Sequence, residues 1–70
     1  MLLRNRLKEI RLKKGYTQER LGEAVDVTRQ SIIAIEKGRF RPSVELALRL
    51  ALVLESDVDE IFWLQEIEGE

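Results

Sequence analysis

The chain has no cysteine and no histidine. Disulfides, thiolate metal sites and imidazole ligands are therefore excluded. Two of the groups most used for nucleophilic and neutral-pH acid–base catalysis are missing as well. The carboxylates do not compensate. Asp57, Asp59 and Glu60 lack the loop glycine and the later ligand that EF-hand spacing demands. No metal, no cofactor and no enzymatic activity are expected. Long apolar runs are also absent. The longest candidate, Leu46 to Leu54, is broken by Arg49 and falls well short of the ~20 residues that span a bilayer. The basic N-terminus lacks the apolar segment and cleavage site of a signal peptide. The expected location is cytoplasmic, with no membrane partner.

The 70 residues amount to one domain, residues 1–70. Its core is expected at about 4–64, with a short acidic C-terminal tail at 65–70. At this length no separate sensing domain and no small-molecule ligand are expected. A chain this small buries only about 60% of its unfolded surface. Without cross-links, oligomerisation is the common remaining source of stability. The charge is unevenly distributed. Residues 1–42 hold eleven Lys/Arg and five Asp/Glu, a balance of +6, while residues 43–70 hold one Arg and eight acids, a balance of −7. The formal total of −1 hides a basic part joined to an acidic one, the pattern of a polyanion-binding face.

No sustained period-two alternation is visible, whereas 3.6-residue spacing recurs throughout. Punctuation divides the chain into five short helices. The first is expected from Leu3 to Lys14, with Leu3, Leu7 and Ile10 on one face and Gly15 as its stop. Thr17 caps the second, whose apolar side is Leu21, Ala24 and Val25 and which ends at Asp26, a residue type that tolerates positive φ. Thr28 caps the third, which runs from Arg29 to Lys37 with Ile32 and Ile35 inward and Ile33 on the exposed side. Pro42 disfavours helix at Arg41. Phe40 in that loop is expected to anchor into the core. Ser43 caps the fourth helix, through Leu54. Asp57 and Glu60 resemble a capping box for a fifth.

The informative segment is Gln18 to Lys37: two short helices joined by a tight turn at Asp26-Val27. A DNA-reading helix-turn-helix needs a small residue where its helices meet, apolar residues that pack the pair, and polar donors at the exposed start of the second helix. Gly22 supplies the first. Leu21, Val27, Ile32 and Ile35 supply the second, and Thr28, Arg29, Gln30 and Ser31 the third. Arg29 is suited to guanine O6/N7 and Gln30 to adenine N6/N7.

These residues resemble the phage Cro/repressor-type helix-turn-helix family, also called the xenobiotic-response-element family. The match runs through Arg11, Gly15-Tyr16-Thr17-Gln18-Glu19, Leu21, Val27-Thr28-Arg29-Gln30-Ser31-Ile32, Ile35-Glu36, Gly38-Arg39, Pro42-Ser43 and Leu50-Ala51. The resemblance implies an all-α, five-helix, lambda-repressor-like domain with its helix-turn-helix at helices two and three. It also implies a regulator, expected to be a repressor, bound to double-stranded DNA as a homodimer on a pseudo-palindromic operator. By position, Gln18 matches a phosphate contact at a helix N-terminus. Thr28, Arg29, Gln30 and Ala34 match positions facing bases or phosphates. Arg11 and Glu36 match a structural ion pair. Ser31, Lys37, Arg39 and Arg41 complete the expected DNA-binding set. Phe62, Trp63, Leu64 and Ile67 are the expected dimer interface. The sequence departs from the family at Gly22, where alanine is usual, and at Asp26, where the turn glycine is usual. The competing reading is a protein-interaction or antitoxin-like module built on the same fold.

Overall fold

The computed structural model describes residues 1–69; Glu70, the last residue of the acidic tail, lies outside them. In chain order the elements are strand β1 (Leu2–Asn5), helices α1 (Leu7–Lys13), α2 (Gln18–Val25), α3 (Arg29–Glu36), α4 (Val44–Val53) and α5 (Val58–Ile61), and strand β2 (Phe62–Gln65).

Capping chemistry places the helix starts. Thr17, Thr28 and Ser43 each present a side-chain oxygen to the N–H three residues on, at 3.0, 3.1 and 3.1 Å respectively. Each bond satisfies a backbone donor that the helix itself leaves orphaned. Before α5, the Asp57 N–H donates to the Glu60 carboxylate at 2.9 Å. The stops follow the same local logic. Asp26 ends α2 in the left-handed conformation, φ 63° and ψ 44°. It therefore does the work of the glycine the turn usually carries.

The apolar stripes converge on one core. Leu7 of α1, Leu21 and Val25 of α2, and Ile32 and Ile35 of α3 are all at most 1% exposed. Leu46 and Leu50 of α4, with Leu54 at its end, close the floor, and Ile61 of α5 seals the side. No helix among the described residues is long and apolar enough to cross a membrane.

The purely helical expectation is corrected at both ends of the chain. Helix α1 begins at Leu7 rather than Leu3, and the segment before it is a strand. β1 pairs antiparallel with β2, in the register Leu3 to Leu64 and Asn5 to Phe62. A four-residue strand is too short to display an alternation, and its partner lies at the far end of the chain. Only the folded core brings the two together. Asn5 then serves both sides of the junction. Its carboxamide oxygen accepts from the Leu7 N–H at 3.1 Å, and its amide donates to the Ile35 carbonyl at 3.0 Å. Phe40 also departs from expectation: it is 48% exposed, so its loop is not anchored through it.

Gly22 has a sharper role than its helix position suggests. A Cβ there would stand 2.7 Å from the Val27 carbonyl oxygen and 3.3 Å from backbone atoms of Thr28. The missing side chain lets α2 approach the turn into α3. Alanine has the better intrinsic helix propensity, by up to ~1 kcal/mol, but the contact is with backbone and cannot swing away. We expect Gly22→Ala to destabilise the protein by about 1–2 kcal/mol, an overpacking cost. In thermal unfolding followed by circular dichroism that is a fall of roughly 4–8 °C per kcal/mol. A melting temperature equal to or above that of the parent would refute the close-approach argument.

Candidate nucleic-acid interface

Helix α3 is oriented by Ile32 and Ile35, which are 0% and 1% exposed and lock one face into the core. The helical period then turns Gln30, Ile33, Ala34 and Lys37 towards the opposite side. Thr28, Arg29 and Gln30 are exposed at the leading end, while Ser31, Ile33 and Ala34 are half-buried. Thr28 is largely committed to its helix: Oγ1 accepts from the Ser31 N–H and lies 3.2 Å from the Ser31 hydroxyl. Arg29 and Gln30 carry no such obligation. Among the described residues, neither side chain is hydrogen-bonded or ion-paired.

The other end of α3 is tied down. Arg11 Nε meets Glu36 Oε2 at 2.6 Å, with the two side chains only 6% and 5% exposed. A second guanidinium nitrogen lies 3.5 Å from Glu36 Oε1, and a third donates to the Tyr16 carbonyl at 2.9 Å. The expected ion pair is thus present, buried and fully hydrogen-bonded. Its reach was not foreseen. Gln18, at the start of α2, donates its amide to Glu36 Oε1 at 3.1 Å. An amide nitrogen carries two protons. One is held by Glu36, which orients the other without consuming it.

Of the remaining expected residues, Lys37, Arg39 and Arg41 are exposed at and beyond the end of α3. They form no ion pair among the described residues, where the only such pairs are Arg11–Glu36 and Glu45–Arg49. The expected dimer set is divided by the fold. Phe62 is 7% exposed and belongs to the core, so it has no free surface to offer another subunit. Trp63 is half-buried, with the Arg6 guanidinium 4.8 Å from its ring centroid. Leu64 and Ile67 are 64% and 44% exposed. Sequence reasoning missed Asn5, which pins the end of α3. Its signal was an asparagine just before a helix, a residue type favoured at that boundary.

A family model described as helix-turn-helix matches residues 7–61. The chain belongs to the Cro/C1-type helix-turn-helix family. Within that family, an uncharacterized HTH-type transcriptional regulator of Bacillus subtilis, YgzD, is 47% identical over 64 residues, covering 91% of this chain and 97% of that protein. A regulator of the same description from Methanothermobacter thermautotrophicus is 49% identical over 65 residues, covering 91% and 94%. Among solved structures, the restriction-modification controller protein C.AhdI of Aeromonas hydrophila aligns with a TM-score of 0.74 at 33% identity, over 79% of this chain and 80% of that one. The clp gene regulator ClgR of Corynebacterium glutamicum aligns at 0.73 and 31%, over 77% of this chain and 57% of that one. The helix-turn-helix of this family is α2, the Asp26-Val27 turn and α3.

The buried pair sets a clear energetic expectation. Glu36→Ala strands the Arg11 charge and should cost about 3–5 kcal/mol. The double substitution Arg11→Met with Glu36→Leu should recover most of that loss, because apolar groups of similar volume often replace a buried pair without penalty. Urea unfolding of the parent, single and double variants measures both. A double variant as unstable as Glu36→Ala would show that the pair contributes net stability rather than geometry.

Proposed function

We propose that this protein is a sequence-specific, double-stranded-DNA-binding transcriptional regulator that reads the major groove with α3. The observation that carries this reading is the free, exposed pair Arg29 and Gln30 at the leading end of a helix whose far end is fixed by a buried ion pair. Rigid placement matters because base-edge hydrogen bonds tolerate little displacement. Arg29 is assigned to a guanine and Gln30 to an adenine edge. Thr28 and Ser31 lie beside the flanking phosphate, and Ala34 packs against a thymine methyl. Gln18 donates its second amide proton to a phosphate at the start of α2, where helix N–H groups and dipole favour an anion. Lys37, Arg39 and Arg41 strengthen the positive field along the same side.

The regulator acts as a repressor and binds as a homodimer in the cytoplasm, without a cofactor. Two copies of α3 related by a two-fold axis fit half-sites about one helical turn apart. The roles of the similar proteins, a restriction-modification controller and a clp gene regulator, support gene control as the biological task. The charge split supports it physically, since the basic part concentrates the attraction to phosphate that an overall balance of −1 conceals.

Two measurements test the reading. On a site selected from a random duplex library, Arg29→Ala should weaken binding by about 1–3 kcal/mol and relax the preference at one base pair. The logarithm of affinity should fall with the logarithm of salt by roughly 0.9 per neutralised phosphate. An Arg29→Ala loss that is equal on all sequences would reduce Arg29 to a phosphate contact. A salt slope near zero would end the DNA assignment and favour a protein-binding module.

A further inference from the structure

The DNA reading draws on α2, α3 and the loop after α3. The N-terminal strand brings a further cation beside them. Arg4 of β1 borders a cleft of about 370 Å³ whose other walls include Glu36, Lys37 and Gly38, at and just beyond the end of α3. The next residue holds the strand in place. Asn5 donates to the Ile35 carbonyl at 3.0 Å, so the Arg4 backbone stands one residue from an anchor on α3. An arginine on a free terminal arm loses backbone freedom when it binds, whereas on this strand that ordering is complete once the protein has folded.

No neighbour neutralises Arg4. Glu36, the acid of the cleft, is already bonded by Arg11 at 2.6 Å and by Gln18 at 3.1 Å. Trp63 is the register partner of Arg4, but its ring carries the Arg6 guanidinium, 4.8 Å from the centroid. Arg4 and Lys37 are both exposed, and neither side chain is hydrogen-bonded or ion-paired among the described residues. The cleft therefore presents two cations to solvent above a carboxylate that is already compensated. A phosphodiester oxygen suits this pair, since arginine offers a planar fork of donors and lysine a compact charge. The duplex read by α3 supplies that group. Gln18 bonds Glu36 and Lys37 follows it, so the backbone contacts assigned above already converge on this carboxylate.

We infer that Arg4, together with Lys37, holds a DNA phosphate beyond the helix-turn-helix, which makes the terminal sheet part of the binding surface. This inference rests on the DNA reading and extends its line of contacts from α2 and α3 onto β1. A phosphate contact carries no sequence information. Arg4 therefore adds affinity and fixes register, while base preference stays with Arg29 and Gln30.

Equilibrium binding of the full chain to a library-selected duplex and to random duplex, across a salt series, tests it. Arg4→Gln should weaken both by about three- to tenfold and lower the salt slope by about 0.9, the share of one phosphate. Arg4→Lys keeps the charge and should keep most of the slope. Lys13→Gln removes a charge from a different cleft, shared with Glu9, Asp59 and Glu60, and should leave the slope unchanged. Replacing single phosphates by neutral methylphosphonates locates the contact: at one position the parent should lose affinity and Arg4→Gln should not. Lys37→Gln should be indifferent to that same position, which tests the shared phosphate even if Arg4→Gln fails to fold. Circular dichroism and the fluorescence of Trp63, the only tryptophan, report on folding. The inference is overturned if folded Arg4→Gln keeps the parent's slope, or if Lys13→Gln lowers it equally. It is also overturned if no methylphosphonate position separates the parent from the Arg4 and Lys37 variants. In each of these cases a base-specific Arg29→Ala loss still upholds the DNA reading, whereas a parent slope near zero ends both.

Discussion

The buried contact between Arg11 and Glu36 is the constraint on which the rest of this molecule depends. It joins the end of α1 to the end of α3, reaches the chain between α1 and α2 through the Tyr16 carbonyl, and takes hold of Gln18 at the start of α2. Three helices are thereby referred to one carboxylate. At 5–6% exposure the pair is shielded from the salt screening that weakens surface charges. Burial also makes it costly to desolvate, so its value lies in geometry more than in net stability. Asn5 adds a second polar restraint at the same end of α3, through the Ile35 carbonyl. Helix α3 is thus held at its far end, and its leading residues stand clear.

That arrangement explains why a chain of negative net charge is suited to a polyanion. Apart from Arg11, none of the basic residues of the first 42 forms an ion pair among the described residues. Their field is therefore directed outwards. The acids are gathered in the other part of the chain, around α5 and the tail. Separation of this kind produces a local potential that a summed charge does not register.

Much of the helical framework was legible because its signals are local. Thr17, Thr28 and Ser43 each start a helix through a bond that spans three residues, and Gly15, Asp26 and Gly38 stop one with a local backbone conformation. The inward set Leu21, Ile32, Ile35 and Leu50 follows from the helical period alone. The ends of the chain were not legible. Leu3–Asn5 read as the beginning of a helix because Leu3 and Leu7, spaced four apart, fit that period, and nothing nearby announced a strand partner at Phe62–Gln65. Phe62 and Trp63 read as part of a dimer interface for the same reason. One fills the core and the other supports Arg6.

The sequence by itself determined where α2, α3 and α4 begin and end, which of their faces turn inward, and which side chains open the third helix. Those properties depend on neighbours within a turn or two, and a turn is short enough to be read from residue order. Only the tertiary structure decided that the two termini pair as strands and that Gly22 must leave room for the Val27 carbonyl. It also decided that Gln18 shares its amide with Glu36 and that α4 keeps an apolar row in solvent. The strand pairing and the Gln18–Glu36 bond join segments distant in the chain, the room at Gly22 depends on how α2 is set against the turn into α3, and the α4 row is what the packing leaves uncovered. All of these depend on how the whole core packs, and no local pattern encodes that packing.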